Sequence, residues 1–485
     1  MQENKAYQKI VTSLKRRKKG ATAADVCAAT ALPLYVVNDL LPKAADEFSG
    51  HLRVTESGEI NYYFPEGFKS RLKGAAVFLK KAAVNSVNLL KKVFTFLFKT
   101  WIMVMLIGYF LLFIALAVAA VFLQIAARSN NSDKGGKGGS IGFGLFDLIF
   151  RIWFYSSLTQ PSYNRSSAYK KPKKDSNRPM HKAIFSFVFG EENPNKNWDE
   201  QTDRAVIAFL QGNRGVISLV EYMAFTGENS LDAEKSILSF CSRYEGSPEV
   251  SEEGTIVYRF EKLLLRADTN KSEELVTPVK TLKKFSFNKI SMNAAFAVIN
   301  SVNLIFGSYF MYQSFFTGLI TDAAQFEVVS KLYGSTHIIF NFLTNNPPLY
   351  IGVILGIIPF VFSFIFWLIP AIRFFIEKKE NEKIKLSNFK RFSFNKIWSS
   401  PENVTSDLLK SAPAECTLKN QAEAFDRVIK DIGAVSSPDI KISDNGKTVY
   451  SFNELKKEKQ SLEKYRYSID TSKLEIGQTI YDSGE

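Results

Sequence analysis

The chain has 485 residues, 46% of them hydrophobic and 14% aromatic, and a formal net charge of +14. Three cysteines (Cys27, Cys241, Cys416) with no CxxC pair and three scattered histidines (His51, His181, His337) argue against a disulfide framework, a zinc or iron site and Ser-His-Asp chemistry. The length suits roughly three domains, and the composition averages two unlike parts, polar modules and Phe-rich apolar runs.

Residues 1–66 read as a first module. Periodicity predicts a helix over 7–15, a basic turn containing Arg16, Arg17, Lys18 and Lys19, a second helix over 23–30 capped by Thr22, a third over about 34–48, and a hairpin closing at Phe64. Residues 67–99 form a basic amphipathic linker with eight basic residues and no acid, including Lys80, Lys81, Lys91 and Lys92. A first membrane helix occupies 100–127, uncharged from Trp101 and long enough to span with tilt. After a Gly-rich connection comes 141–158, apolar but holding Asp147 and Arg151. At i, i+4 these two are spaced to form an intramembrane ion pair, so the segment reads as a return span or re-entrant helix, with an interfacial amphipathic helix as the other reading. A second basic linker, 159–200, carries Lys170, Lys171, Lys173 and Lys174.

A second module, 201–266, predicts helices over 204–211, 219–224 and 232–244 and then a hairpin. Two further membrane helices follow at 292–319 and 349–376. Asn293, Asn300 and Asn303 in the first of these read as interhelical hydrogen-bond donors before they read as a solute path. A third module, 400–456, predicts a helix over 404–410, a short segment at Leu418, a helix over 422–432 and a hairpin, followed by a polar C-terminal tail, 457–485.

The three hairpins are copies of one eleven-residue pattern at 54–64, 250–260 and 442–452, in register and without a gap. Gly58, Gly254 and Gly446 stand where the turn needs a positive φ, and Tyr62/Phe64, Tyr258/Phe260 and Tyr450/Phe452 alternate on the returning strand. Repeats of this kind outrank local readings. Gly50 and Gly246 also fall at one distance before their hairpins. A weaker echo is Lys284-Phe-Ser-Phe-Asn-Lys-Ile290, which recurs as Arg391-Phe-Ser-Phe-Asn-Lys-Ile397.

The basic excess lies beside the apolar runs, at +8 over 67–99 and +6 over 161–182, with basic flanks on both sides of the second helix pair. The positive-inside bias therefore folds both pairs into hairpins and places both termini and all three modules on the cytoplasmic side of an inner membrane. The expected fold is mixed: an α-helical membrane protein of about four spans in two hairpins, with three small α+β winged-helix-like cytoplasmic modules. The eight lysines named above are the expected contacts to anionic headgroups.

The segment Phe185-Ser-Phe-Val-Phe-Gly-Glu-Glu-Asn-Pro-Asn195, followed by Gly246-Ser-Pro-Glu-Val-Ser-Glu-Glu-Gly-Thr-Ile-Val-Tyr-Arg-Phe260, resembles a family of bacterial and plastid multi-pass membrane proteins of no assigned activity. Some of its members carry an iron–sulfur assembly label, but three isolated cysteines do not make a cluster scaffold. The resemblance implies the same organisation and no particular chemistry.

A winged helix invites a DNA reading, which requires positive charge on the third helix and the wing. Here Lys43 stands against Asp39, Asp46 and Glu47, and Arg259 against Glu249, Glu252 and Glu253. Only 16–19 offers a phosphate contact. No Walker, GxSxG, HExxH or paired-acid motif occurs. The expectation is a membrane-anchored scaffold or adaptor for a cytoplasmic protein partner, with no catalytic, cofactor or metal site and with homo-oligomerisation left open. A membrane-tethered nucleic-acid-binding regulator is the alternative, and a small transporter or channel with regulatory domains the third reading.

Overall fold

In the computed structural model the described residues are 2–17, 20–65, 67–68, 75–129, 178–267, 277–317, 351–443, 446–470 and 476–484. In chain order the elements are α1 Gln2–Leu14, α2 Ala23–Thr30, α3 Leu34–Glu47, β1 His51–Thr55, β2 Ile60–Tyr63, α4 Ala75–Ser129, α5 Met180–Phe189, α6 Trp198–Gly212, β3 Val216–Ile217, α7 Leu219–Thr226, α8 Ser230–Tyr244, β4 Ser247–Val250, β5 Ile256–Arg259, α9 Ile290–Tyr312, α10 Ile358–Ser399, α11 Gln421–Gly433, β6 Asp439–Ile442, β7 Thr448–Ser451, α12 Asn453–Ser468 and β8 Thr479–Asp482. The chain is mostly helical and divides into two compact units, one of 1–81, 193–283 and 379–485, the other of 82–192 and 284–378.

The first unit holds all three small sheets, ordered β2-β1-β8, β3-β5-β4 and β6-β7. The eleven-residue copies form antiparallel hairpins of one register: Val54 opposes Ile60, Val250 opposes Ile256, and Ile442 opposes Thr448. Each turn closes by the same bonds, with the glycine N–H donating to the carbonyl of Thr55, Ser251 or Ser443 at 2.8 to 2.9 Å. Gly58, Gly254 and Gly446 have φ of 76°, 83° and 72°, which an L side chain would strain. The returning strand also pairs behind itself in each case, through Ala21 with Tyr62, Ile217 with Tyr258 and Val404 with Tyr450.

Local sequence explains the helix starts. Thr22 and Ser218 each cap a helix in a reciprocal box with Asp25 and Glu221, three residues on. Both acids are buried, and each is matched by arginine: Arg17 and Arg266 lie 3.2 and 3.4 Å from Asp25, and Arg466 lies 2.7 Å from Glu221. Gly50 and Gly246 serve a second purpose. A Cβ on either would meet the ring of Phe64 at 2.6 Å or Phe260 at 2.2 Å, so these glycines let the hairpin aromatic lie against the preceding turn.

A single hydrophobic core runs through this unit, drawing on Ile10 and Leu41, on Ile207, Phe240 and Phe260, and on Phe394, Val428 and Phe452. Burying each such side chain stabilises by about 1.5–3 kcal/mol. The Phe240 ring meets Tyr244 at 4.5 Å and Phe260 edge-on at 5.3 Å between centroids. Polar bonds join the segments as well: the Tyr244 hydroxyl donates to the Ala31 carbonyl at 3.1 Å, and the Thr22 hydroxyl to that of Leu265 at 2.7 Å.

Two expectations for the third segment are corrected. The helix predicted over 404–410 is instead a pair of 3-10 turns, Ser406–Ser411 and Ala414–Cys416, and Leu418 is in no helix. Pro413 lacks an amide and disfavours helical backbone at Ala412, which breaks the run. The helix that precedes the Val404 bridge is the end of α10, whose Phe389, Phe394 and Ile397 are buried. The polar tail supplies most of α12, which begins at Asn453, and all of β8.

Among the described residues three helical stretches are long and apolar enough to cross a membrane, Leu89–Phe122, Ile290–Phe316 and Gly352–Ser399. Two of them include π-helical turns, Gln313–Thr317 and Ile351–Ile357. Asn300 and Asn303 are buried and donate to the carbonyls of Ser363 at 2.9 Å and Leu106 at 2.7 Å, crossing to two different helices. A Cβ on Gly307 would lie 2.9 Å from the Phe360 nitrogen, and one on Gly356 2.7 Å from that of Met311, so two helices meet through glycine. Helix α5 ends at Gly190, φ 83°, where Arg373 donates to the Phe187 carbonyl at 3.0 Å and also to that of Phe285.

Candidate interaction surface along the hairpin edges

The outer edge of each hairpin is its leading strand, β1, β4 or β6, and the chain treats the three differently. Strand β8 adds to β1 antiparallel, with Arg53 opposite Asp482 and Val54 opposite Tyr481. The ladder continues as Ser483 N–H donates to the Leu52 carbonyl at 3.0 Å, and Glu56 N–H to that of Gln478 at 3.0 Å. Asp482 is gripped from two sides, by the Tyr63 hydroxyl at 2.6 Å and by Arg53 Nε at 2.7 Å. These two bonds hold its carboxyl down at about 2. The Arg53 guanidinium in turn lies 3.9 Å from the Tyr63 ring centroid.

Helix α12 takes the second hairpin. Tyr465 bonds Glu249, Lys464 pairs with Glu253, and the Ser461 and Ser251 hydroxyls meet at 2.8 Å. Arg466 reaches past them to Glu221 and to the Val216 carbonyl at 2.8 Å. Two of the three acids of this hairpin, Glu249 and Glu253, therefore face α12. Glu458, on the same helix, is pushed up to about 7 by burial and by the charge of Glu221, while the Ser218 hydroxyl pulls the other way. The third hairpin stays two-stranded. All four residues of β6 are exposed, and among the described residues β6 pairs with β7 alone.

The other predicted residues are placed as follows. Arg17 turns inward to Asp25, while Arg16 lines a shallow cleft with Gln8, Lys9, Thr12 and Arg204. Lys18 and Lys19 lie outside the described residues, as do Asp147, Arg151, Lys170, Lys171, Lys173 and Lys174. Lys91 and Lys92 are exposed on α4, near the start of its apolar stretch, and the side chains of Lys80 and Lys81 are outside the description. Among the described residues no three His, Cys, Asp or Glu side chains gather as a metal would require. The three cysteines are buried free thiols, and burial pushes Cys27 up to about 12 and Cys241 to about 11, far from a nucleophile's range.

Sequence reasoning missed the asparagine clamps. Asn195, Asn381 and Asn388 each accept from the backbone N–H and donate to the carbonyl of a single residue, Thr281, Lys283 and Lys280 respectively, at 2.8 to 2.9 Å. Side-chain amides thus replace a sheet partner for the extended stretch before α9. Trp198 lies between two cations there, Arg391 at 4.4 Å and Lys280 at 5.0 Å from its ring. The seven-residue spacing of Asn381 and Asn388 on one helix was the available signal.

No protein-family model matches the chain, and no solved structure matches it. It is 24% identical over 429 residues to an uncharacterized chloroplastic protein of Arabidopsis thaliana, an alignment covering 81% of this chain and 74% of that protein.

Proposed function

We propose that the chain is a multi-pass membrane anchor which holds three winged-helix-like modules as one body, on the cytoplasmic side of an inner membrane, and presents that body to protein partners. One observation carries the reading: a single hydrophobic core draws on residues before, between and after the membrane-length helices. Segments that share a core share a compartment, so the crossings within 82–192 and within 284–378 are even in number. Helices α9 and α10 make two in the second interval. In the first, α4 requires a return, and 141–158 is the stretch with the composition to supply it, giving four spans in two hairpins.

In the first two modules three helices precede the hairpin, and the returning strand bridges to the residue before the cap of the second helix, which supports the winged-helix order. Two observations favour protein partners over nucleic acid. The parts such a fold would lay on DNA are engaged within the molecule: β8 covers one hairpin edge, α12 another, and α3 packs against α8. Arg17 is likewise spent on Asp25. A phosphate-binding face needs free cations there.

The test uses the full chain in lipid. Single cysteines at Asn38, Glu252 and Lys419, all exposed, are expected to react with an impermeant maleimide from the same side of a sealed membrane. Glu252 reacting from the opposite side would end the one-body reading. Retention of duplex DNA by the nanodisc-bound protein, falling steeply with salt, would replace the partner platform by the regulator.

A further inference from the structure

We propose that the outer edge of β6 is a docking site for an extended segment of a partner protein, one in which a carboxylate follows an aromatic residue. The proposal rests on the partner-platform reading and names its contact. The three hairpins share a register but differ at their outer edges.

In an antiparallel ladder, alternate residues direct both backbone groups away from the neighbouring strand. On β1 these are Leu52 and Val54, and β8 occupies that side. The equivalent pair on β4 is Pro248 and Val250, and Pro248 has no N–H to offer, a substitution confined to sheet edges that blocks pairing. On β6 the pair is Ile440 and Ile442, 64% and 79% exposed. Both keep their amides, and no backbone partner for either lies among the described residues.

Side chains match as well as backbone. Leu52-Arg53-Val54 corresponds to Ile440-Lys441-Ile442, apolar, basic, apolar, whereas the second hairpin has Glu249 at the basic position. Arg53 selects Asp482 on the incoming strand, and Lys441 places the same charge at the same register point. The hydroxyl of Tyr63, which also holds Asp482, has Ser451 as its counterpart. An incoming strand with an acid opposite Lys441 and an aromatic residue opposite Ile442 would meet β6 as Asp482 and Tyr481 of β8 meet Arg53 and Val54 of β1. Pairing two copies of β6 in the register that sets Lys441 against its own copy is disfavoured, because like charges across a ladder repel; pairing about Ile440, which sets Lys441 against Asp439, is the competing outcome that the dimerisation measurement below reads. The β8 precedent on β1 sets the chemistry we assign to the occupant, a β8-like segment of a partner protein with an acid opposite Lys441.

The probe is a fluorescent peptide of residues 476–484, added to the full-length protein in nanodiscs. Saturable binding is expected, abolished by Ile440→Pro, a change whose tolerance Pro248 demonstrates in the second hairpin. Lys441→Glu is expected to weaken it about fivefold, with recovery when the peptide's aspartate is replaced by lysine. Binding that survives both substitutions is exchange at β1 or non-specific and overturns the assignment, as does no binding at all. Concentration-dependent dimerisation lost in Ile440→Pro would give the edge to a second copy and also overturn it. Each failure leaves the one-sided maleimide pattern intact, so it is distinguishable from failure of the platform reading.

Discussion

Two kinds of sequence repeat occur in this chain and they fold by different rules. The hairpin pattern takes one register and one turn at all three positions. The heptad shared by 284–290 and 391–397 is non-helical chain leading into α9 in the first copy and part of α10 in the second. Phe394 and Ile397 are 0% exposed, while their counterparts Phe287 and Ile290 are 58% and 88% exposed. A hairpin carries its geometry in a glycine and an alternation of two; a heptad with no such punctuation takes the conformation its surroundings reward.

The largest test of that contrast is Phe394→Ala, expected to cost about 3–5 kcal/mol in urea denaturation of the detergent-solubilised chain. Phe287→Ala should cost less than about 1 kcal/mol; equal losses would mean that the two heptads are not in different environments. Within the hairpins the expectation is symmetry. Phe260→Ala and Phe452→Ala, both at fully buried positions, should each cost about 3–5 kcal/mol, whereas partly buried Phe64 should cost less.

Gly246→Ala drives a methyl into the Phe260 ring, and the overpacking should cost about 1–3 kcal/mol, read from the thermal midpoint. At Gly58, Gly254 and Gly446 a Cβ meets nothing within 4 Å, so alanine is left with the positive φ alone, about 1 kcal/mol and the same at each turn. An unequal set would show that a turn's surroundings contribute after all.

The smallest effect is a pH dependence at the contact that distinguishes the second hairpin. Glu458, raised to about 7, keeps in the folded state a proton that the unfolded chain gives up near 4.5. Docking of α12 should therefore be firmest below about pH 4.5 and weaken as pH rises through 7. Glu458 is partly exposed, and solvent screening limits the change to about 1 kcal/mol. Proteolysis of α12 between pH 5 and 8 should accelerate in the native chain and stay flat in Glu458→Gln.

Much of this architecture was legible in advance where the signal was local. The Thr22 cap and the helix over 23–30 were read directly, as were the turn glycines and the apolar runs of α4, α9 and α10. The acids of the second hairpin were visible in the sequence, and two of them, Glu249 and Glu253, contact α12. The first helix of the third segment was misplaced at 404–410 because its real counterpart lies at the end of a membrane-length helix, where charge and hydropathy change while the helix does not.

By itself, the sequence determined each element that a short stretch can encode: a turn that only glycine tolerates, a cap three residues before its acid, an apolar length sufficient for a bilayer. Tertiary structure alone decided that the tail supplies β8 to the first hairpin and α12 to the second. It also decided that Asn195, Asn381 and Asn388 stand in for a strand, and that three distant segments close over one core. The physical reason is that these pairings depend on groups 86 to more than 400 residues apart, whose individual propensities carry no record of the partner and whose choice is made by burial and hydrogen-bond satisfaction over the whole unit.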